Sequence, residues 1–255
     1  MLATKDLTIR FGGHVAVNAV TCAFQPGTLT AIVGPNGAGK TTYFNLISGQ
    51  LRASSGQVTL DGRDLSGLSA SARTRAGLGR AFQLTNLFPR LTVLENIRLA
   101  VQATRDGAHR RGLNLWSVWS DHKGLMERAD EVLQAVALAD KAGELVASLP
   151  HGDQRKLEVA LLMALESKVF MFDEPTAGMN SAEAPVILNL IRKLKEDRSK
   201  TILLVEHKMD VVRELADRII VLHNGSLVAD GEPAEVIASP IVQEAYLGVA
   251  PKEAA

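Results

Sequence analysis

Apolar and polar residues alternate along this chain with two different periods, and the places where the period changes outline its elements. Leu2 to Phe24 alternates as two antiparallel strands would, joined through Gly12-Gly13, which supplies the turn. Leu29-Thr30-Ala31-Ile32-Val33 is a short apolar run with strand character, and Thr41 to Ile47 reads as a helix stopped by Ser48-Gly49. Ser54-Ser55-Gly56 precedes a strand over Gln57 to Leu60 and a turn at Asp61-Gly62. Leu78 to Phe82 is a further strand, leading into Gln83. From Thr92 to about Leu165 the period becomes helical. Val93, Leu94, Ile97 and Ala100 share one face there, and Met126 to Leu138 and Gln154 to Leu165 behave likewise. Val169-Phe170-Met171-Phe172 reads as a buried strand, Ala182 to Lys195 as an amphipathic helix, Thr201 to Val205 as a strand and Val211 to Ala216 as a helix. Arg218 to Leu222 and Leu227 to Ala229 form a hairpin across Asn224-Gly225. Two short helices, Pro233 to Ala238 and Ile241 to Tyr246, follow. Strands alternating with helices argue an α/β fold with a largely parallel sheet, into which a helical block is set.

The strand-to-helix junction after Val33 carries the chemistry. Gly34-Pro35-Asn36-Gly37-Ala38-Gly39-Lys40-Thr41-Thr42 fits the phosphate-binding pattern G-x-x-x-x-G-K-[ST] at every fixed position. Gly34, Gly37 and Gly39 let the backbone curl so that successive N–H groups point into one concavity, and the helix behind adds the positive end of its dipole. Lys40 then reaches the β- and γ-phosphates, and the Thr41 hydroxyl is placed to hold Mg²⁺. With strand, loop, Lys-Thr and helix all present, a glycine-rich turn without a ligand is a poor account of this stretch. The chain is expected to bind a nucleoside triphosphate.

Other positions gain meaning from that loop. Asp173-Glu174 ends the apolar run from Val169, where a strand delivers carboxylates to the sheet edge near the phosphates. Asp173 would serve Mg²⁺ directly or through water, and Glu174 would polarise the attacking water. Gln83 offers a side-chain carbonyl to a metal or to that water. Glu206-His207 lies at the end of the strand from Thr201, where His207 contacts the γ-phosphate, steers the water or is structural. Phe11, just before a turn, is either a stacking face for a base or an ordinary strand aromatic. The stretch from Arg105 to Lys123 holds Arg110, Arg111, Trp116 and Trp119. It reads as a solvated helical excursion with both rings folded onto the block, in preference to a surface facing lipid headgroups or a membrane subunit.

Composition narrows the partners. The chain has 255 residues, 46% of them hydrophobic, enough for a substantial core in one large domain or two small ones. Lys+Arg 28 against Asp+Glu 28 leaves no basic surplus, which argues against nucleic acid. Cys22 is the single cysteine, so an internal disulfide and a thiolate zinc cluster are excluded, and a reducing cytosol suits the chain. No basic-then-apolar leader opens the sequence, and the longest apolar stretch, Val159 to Leu165, is far short of a membrane span. A soluble chain that reaches a membrane through a partner is the expectation.

These motifs, in this order, resemble an ATP-binding cassette (ABC) ATPase along essentially the whole chain. Gly34 to Thr42 matches the Walker A loop, Gln83 the Q-loop, Asp173-Glu174 the end of Walker B, His207 the switch histidine and Phe11 the adenine-stacking aromatic. Ala177-Gly178-Met179-Asn180 sits where the D-loop belongs, with Asn180 in place of the usual aspartate. Arg10-Phe11-Gly12-Gly13, Ala81-Phe82-Gln83, Val205-Glu206-His207-Lys208-Met209 and Glu244-Ala245-Tyr246-Leu247-Gly248 are similar to the ATPase subunits of branched-chain amino acid, urea and amide importers. The family's signature Leu-Ser-Gly-Gly-Gln corresponds to Leu149-Pro150-His151-Gly152-Asp153. Pro150 brings neither hydroxyl nor N–H, Gly152 still allows close approach to ATP, and Asp153 adds negative charge near a phosphate.

The resemblance implies a P-loop NTPase core with an antiparallel β-subdomain, residues 1–83 and 167–255, and an inserted helical subdomain, residues 84–166. It implies ATP and Mg²⁺ as cofactors, with Thr41, Gln83 and Asp173 toward the metal and Glu174, Gln83 and His207 toward the chemistry. It implies a second ATPase subunit, most often a different chain, facing this one head to tail. Two membrane permeases and, indirectly, a periplasmic solute-binding protein would complete the assembly at the cytoplasmic face of the inner membrane. An exporter ATPase of the lipopolysaccharide type stays open as an alternative. A non-transport cassette ATPase is a more remote alternative, since neither a long coiled coil between the Walker motifs nor a second cassette is present, and a GTP switch is more remote still, because no Asn-Lys-x-Asp motif occurs. The sequence ends soon after Gly248, so no added regulatory domain is expected.

Overall fold

The computed structural model describes residues 1–81, 87–106, 123–179 and 183–247. Strands β1 (Leu2–Phe11) and β2 (His14–Phe24) form the expected antiparallel hairpin, with Leu2 opposite Phe24 and Phe11 opposite His14. The strand β3 (Leu29–Val33) leaves this sheet for a second one, while β4 (Ser55–Leu60) returns to pair with β1 and carries the two-residue β5 (Arg63–Asp64).

The second sheet is the centre of the molecule. It adds β6 (Leu78–Ala81), β7 (Val169–Asp173), β8 (Thr201–Val205), β9 (Arg218–His223) and β10 (Ser226–Gly231) to β3. Among the described residues their order is β10-β9-β3-β8-β7-β6, all parallel except the antiparallel edge strand β10. Every residue of β3, β7 and β8 is buried, which is why these strands read as unbroken apolar runs: a parallel sheet is covered on both faces. Phe170 and Phe172 pack into the helical side, while Val169 and Met171 turn to the side of the β1–β2 hairpin.

Nine α-helices are found among the described residues. α1 (Lys40–Ser48) follows β3, and α2 (Ala70–Arg75) precedes β6. α3 (Val93–Asp106), α4 (Lys123–Ala135) and α5 (His151–Ala164) make the helical block, which shares one apolar core with α6 (Ala184–Glu196) and the sheet. α7 (Met209–Leu215), α8 (Pro233–Ala238) and α9 (Pro240–Leu247) cover the β9–β10 end. α3 starts on a capping box: Glu95 N–H donates to Thr92 Oγ1 at 3.2 Å and Thr92 N–H to Glu95 Oε2 at 2.8 Å. None of the described helices is long and apolar enough to cross a membrane.

Among the departures from the periodicity, two helix ends and one whole helix have a visible local reason. α5 begins at His151 instead of Gln154, because the Pro150 carbonyl accepts from the N–H groups of Asp153 and Gln154 at 3.0 and 3.1 Å. α4 stops at Ala135 instead of Leu138, where Ala137 adopts φ +54°. α2 has no apolar stripe to betray it. It is held by Arg73, 2% exposed, whose guanidinium donates to the Leu46 and Ile47 carbonyls at the end of α1, both at 2.7 Å.

Candidate active site

Parallel strands bring their carboxyl ends to one edge, and the sequence-predicted groups gather there. Register sets Ile32 of β3 and Asp173 of β7 on either side of Val205 of β8, so the glycine loop, Asp173-Glu174 and Glu206-His207 follow three neighbouring strands. The loop is wedged tightly. A Cβ on Gly34 would lie 2.1 Å from the Leu222 carbonyl oxygen of β9, and one on Gly39 2.5 Å from the Ala16 carbonyl of β2. Gly39 also adopts φ +96°, which glycine alone takes at little cost. It stands at the start of α1 with no side-chain cap, so the first N–H groups of that helix are available to an anion.

Lys40 is 6% exposed and turns back over the loop, donating to the Gly34 and Pro35 carbonyls at 2.7 and 2.9 Å. Burial lowers its pKa from the ordinary lysine value, and the nearby Glu174 and Asp173 carboxylates work against that shift. Pro35, Asn36 and Gly37 form the outer arc of the loop, with Asn36 and Gly37 exposed, and Ala38 is buried beneath it. Thr41 is exposed on the first turn of α1, and Thr42 is half-buried beside it. Phe11, 51% exposed, ends β1 at the tip of the hairpin whose second strand supports Gly39. Gln83, Asn180 and the two tryptophans lie outside the described residues.

Beyond the loop stands a pair of carboxylates in different settings. Asp173 is 8% exposed and accepts from Arg80 Nη2 at 2.7 Å. Burial raises its pKa, and the Arg80 guanidinium opposes the rise. Arg80 is in turn fixed by Asn45 Oδ1 at 2.6 Å, Ser48 Oγ at 2.9 Å and Gln50 Oε1 at 3.2 Å, and its guanidinium carbon lies 5.2 Å from the Phe44 ring centroid. Glu174 adopts φ +49°, a left-handed conformation that costs a residue with a side chain about 1 kcal/mol or more. That backbone turn, anchored by Glu174 N–H to the Val205 carbonyl at 2.9 Å, swings its carboxylate out of the strand to His207, with Nε2 and Oε1 2.8 Å apart.

His207 has its own support. Glu206, 3% exposed, accepts from the N–H groups of His207 and Lys208 through Oε2 at 2.8 and 3.1 Å, and from Thr176 Oγ1 through Oε1 at 2.7 Å. One buried carboxylate thus ties the turn after Glu174 to the turn carrying His207. Arg80, Asn45, Thr176 and Glu206 escape a motif reading. The only signals are an arginine inside an apolar strand and a second acid beside the histidine.

At the head of α5, Gly152 is buried, and a Cβ there would lie 3.1 Å from Glu183 Oε1. Asp153 accepts from Lys141 Nζ at 2.6 Å and Lys156 Nζ at 2.7 Å. Burial opposes its ionisation, but these two lysines prevail and hold its pKa below the ordinary carboxylate value. Its negative charge is therefore compensated within the chain.

The ABC transporter family model matches residues 17–177, and the chain belongs to that family. A second model, described as "Branched-chain amino acid ATP-binding cassette transporter", matches residues 226–251. The chain is 38% identical over 251 residues, 98% of each sequence, to the high-affinity branched-chain amino acid transport ATP-binding protein LivG of Salmonella typhimurium. The crystal structure of the ADP conformation of MJ1267, an ATP-binding cassette of an ABC transporter, superposes with TM-score 0.81 at 28% identity, covering 98% of this chain and 99% of that one. A dimeric post-hydrolysis structure of the cassette MJ0796 with ADP and Pi superposes with TM-score 0.75 at 27% identity, covering 91% and 99%.

Proposed function

We propose that this chain is the ATP-binding and ATP-hydrolysing subunit of a membrane importer for branched-chain amino acids or related small organic solutes. The observation that carries the catalytic reading is the Glu174–His207 contact of 2.8 Å at the mouth of the glycine loop. The triphosphate lies along the loop, where Lys40 exchanges its two carbonyl partners for phosphate oxygens and the uncapped start of α1 adds N–H donors. Phe11 stacks on the base. Asp173 and Thr41 offer the hard oxygen donors that suit Mg²⁺, which needs few protein ligands beside phosphate and water, and Gln83 is a third candidate. When bound, the metal neutralises charge on the phosphates. Glu174 accepts the proton of the attacking water, and His207 holds that carboxylate and faces the γ-phosphate.

The MJ0796 dimer supports the rest of the arrangement. Each ATP is covered by the Gly152 loop of a second cassette, a copy or a related chain, and closure of the pair drives the membrane subunits. The groove between α2–β6 and α3–α5, about 860 Å³, is where those subunits dock, and the chain works as a peripheral subunit at the cytoplasmic face of the membrane. The LivG relative supports branched-chain amino acids as the cargo. Glu174→Gln tests the catalytic reading: hydrolysis falls about 10²- to 10⁴-fold while ATP affinity is kept, and turnover at the parental rate removes Glu174 from its role. Purification with the membrane subunits tests the cargo, since leucine-type solutes then raise ATPase activity.

A further inference from the structure

Next to the Glu174–His207 contact, two buried polar side chains take no part in the chemistry described above. Thr176 is 2% exposed and Glu206 3%, whereas Glu174 is half-buried and His207 exposed. Glu206 divides its oxygens between two turns. Oε1 accepts from the Thr176 hydroxyl at 2.7 Å, and Oε2 from the His207 and Lys208 N–H groups at 2.8 and 3.1 Å. These three donors are neutral. Two amides after a strand can be satisfied by water or a carbonyl, and a buried carboxylate is a costly group to put in their place. What it adds is a second oxygen that reaches the other turn.

The bonds close a circuit. Glu174 N–H donates to the Val205 carbonyl at 2.9 Å, Thr176 holds Glu206, Glu206 holds the His207 N–H, and the His207 ring returns to Glu174. Residues 174–176 and 205–207 thus form one hydrogen-bonded unit across the ends of β7 and β8. Glu174 sits in it at φ +49°, a conformation that persists in a residue with a side chain where its surroundings over-determine it. Among the described residues, two side-chain hydrogen bonds join the turns on this path: the catalytic contact itself and the buried Thr176–Glu206 bond. One contact between a half-buried carboxylate and an exposed imidazole leaves both free to swing. A second, buried bond beside it removes that freedom.

We infer that Glu206 is a positioning residue for ATP hydrolysis, which, anchored on Thr176, holds the His207 ring at contact distance from the Glu174 carboxylate. It acts through His207 and not on the nucleotide. The inference rests on the reading of Glu174 and His207 as the catalytic pair, and it adds the buried link by which that pair is kept in register.

The test uses the complete chain purified with its membrane subunits. It reads kcat (by single turnover where hydrolysis is slow), KM for ATP, fluorescent-nucleotide affinity and melting temperature. Thr176→Val keeps the side-chain shape and removes the hydroxyl. It lowers kcat about tenfold, with KM and ATP affinity within about twofold of the parent. Thr176→Ser, which returns the hydroxyl, recovers the rate. In a His207→Ala background, Thr176→Val changes the rate by less than about twofold, because its route to the chemistry is already gone. A residue that only held the fold would slow both backgrounds equally or lower ATP affinity along with kcat, and either result overturns the inference. Parental kcat in Thr176→Val overturns it too. If Thr176→Val does not fold, Glu206→Gln carries the same cycle, since its amide still offers each turn a partner but without the charge. Its rate then falls about threefold, and only where His207 is present; a parental rate or an equal loss in His207→Ala overturns the inference. If Glu174→Gln or His207→Ala turns over ATP at the parental rate, the catalytic reading falls and takes this inference with it. If both lose turnover and Thr176→Val does not, the inference alone falls.

Discussion

A buried ammonium with two main-chain carbonyls for company is an arrangement held ready for another acceptor. Lys40 gives its protons to Gly34 and Pro35, and a triphosphate offers far better partners at the same place. Lys40→Ala removes charge-assisted hydrogen bonds worth about 1.5–3 kcal/mol. ATP affinity is therefore expected to fall about 10- to 100-fold in a fluorescent-nucleotide titration, with the fold intact by circular dichroism. Unchanged affinity would remove Lys40 from the phosphate site. The motif could name Lys40, Asp173 and Glu174, because their identities are fixed by chemistry close to them in sequence. It could not name Arg80, which meets Asp173 across 93 residues, or Glu206, which meets Thr176 across 30. Such pairings exist only after the sheet has assembled.

At the scale of elements, α5 shows how local chemistry and packing divide the work. Its apolar residues forecast the helix, and Pro150 suits the position before it by fixing φ and needing no N–H partner there. The compensation of Asp153 depends on Lys141, which reaches it from the 3₁₀ turn Ala139–Lys141 between α4 and α5. Asp153 has a folded pKa below its unfolded one, so its ion pairs stabilise the protein above the unfolded carboxylate value, about 3.9, and that contribution is lost as pH falls through the folded pKa. Asp153→Asn is expected to lower stability by about 1–2 kcal/mol at pH 7, measured by urea unfolding, and to match the parent in strong acid. Equal stability at pH 7 would mean that the two lysines contribute nothing. Helices with an apolar face and fully buried strands were legible from the chain. α2 and β5 were not, since Arg73 secures α2 through hydrogen bonds to α1 instead of through a stripe of apolar residues.

For the whole molecule, the question is how one cassette meets the next. Gly152 stands at the head of α5, where the three described atoms nearest an added Cβ, at 3.1 to 3.4 Å, all belong to the flexible Glu183 side chain. Gly152→Val should therefore fold and bind ATP with parental affinity. In a Glu174→Gln background that otherwise traps an ATP dimer, the added isopropyl group should abolish the dimer on size-exclusion chromatography with light scattering. A dimer of undiminished stability would show that the Gly152 loop does not cover nucleotide.

Sequence alone determined which strands are buried, where the phosphate loop lies and which carboxylates end a strand, because each depends on residues near one another in the chain. The assignment to the cassette family was within its reach for the same reason: the motifs are short and contiguous. Tertiary structure decided what lies between them. Strand order set Glu174 against His207 and Arg80 against Asp173. Those relations are distances between segments far apart in the chain, and periodicity carries no information about them.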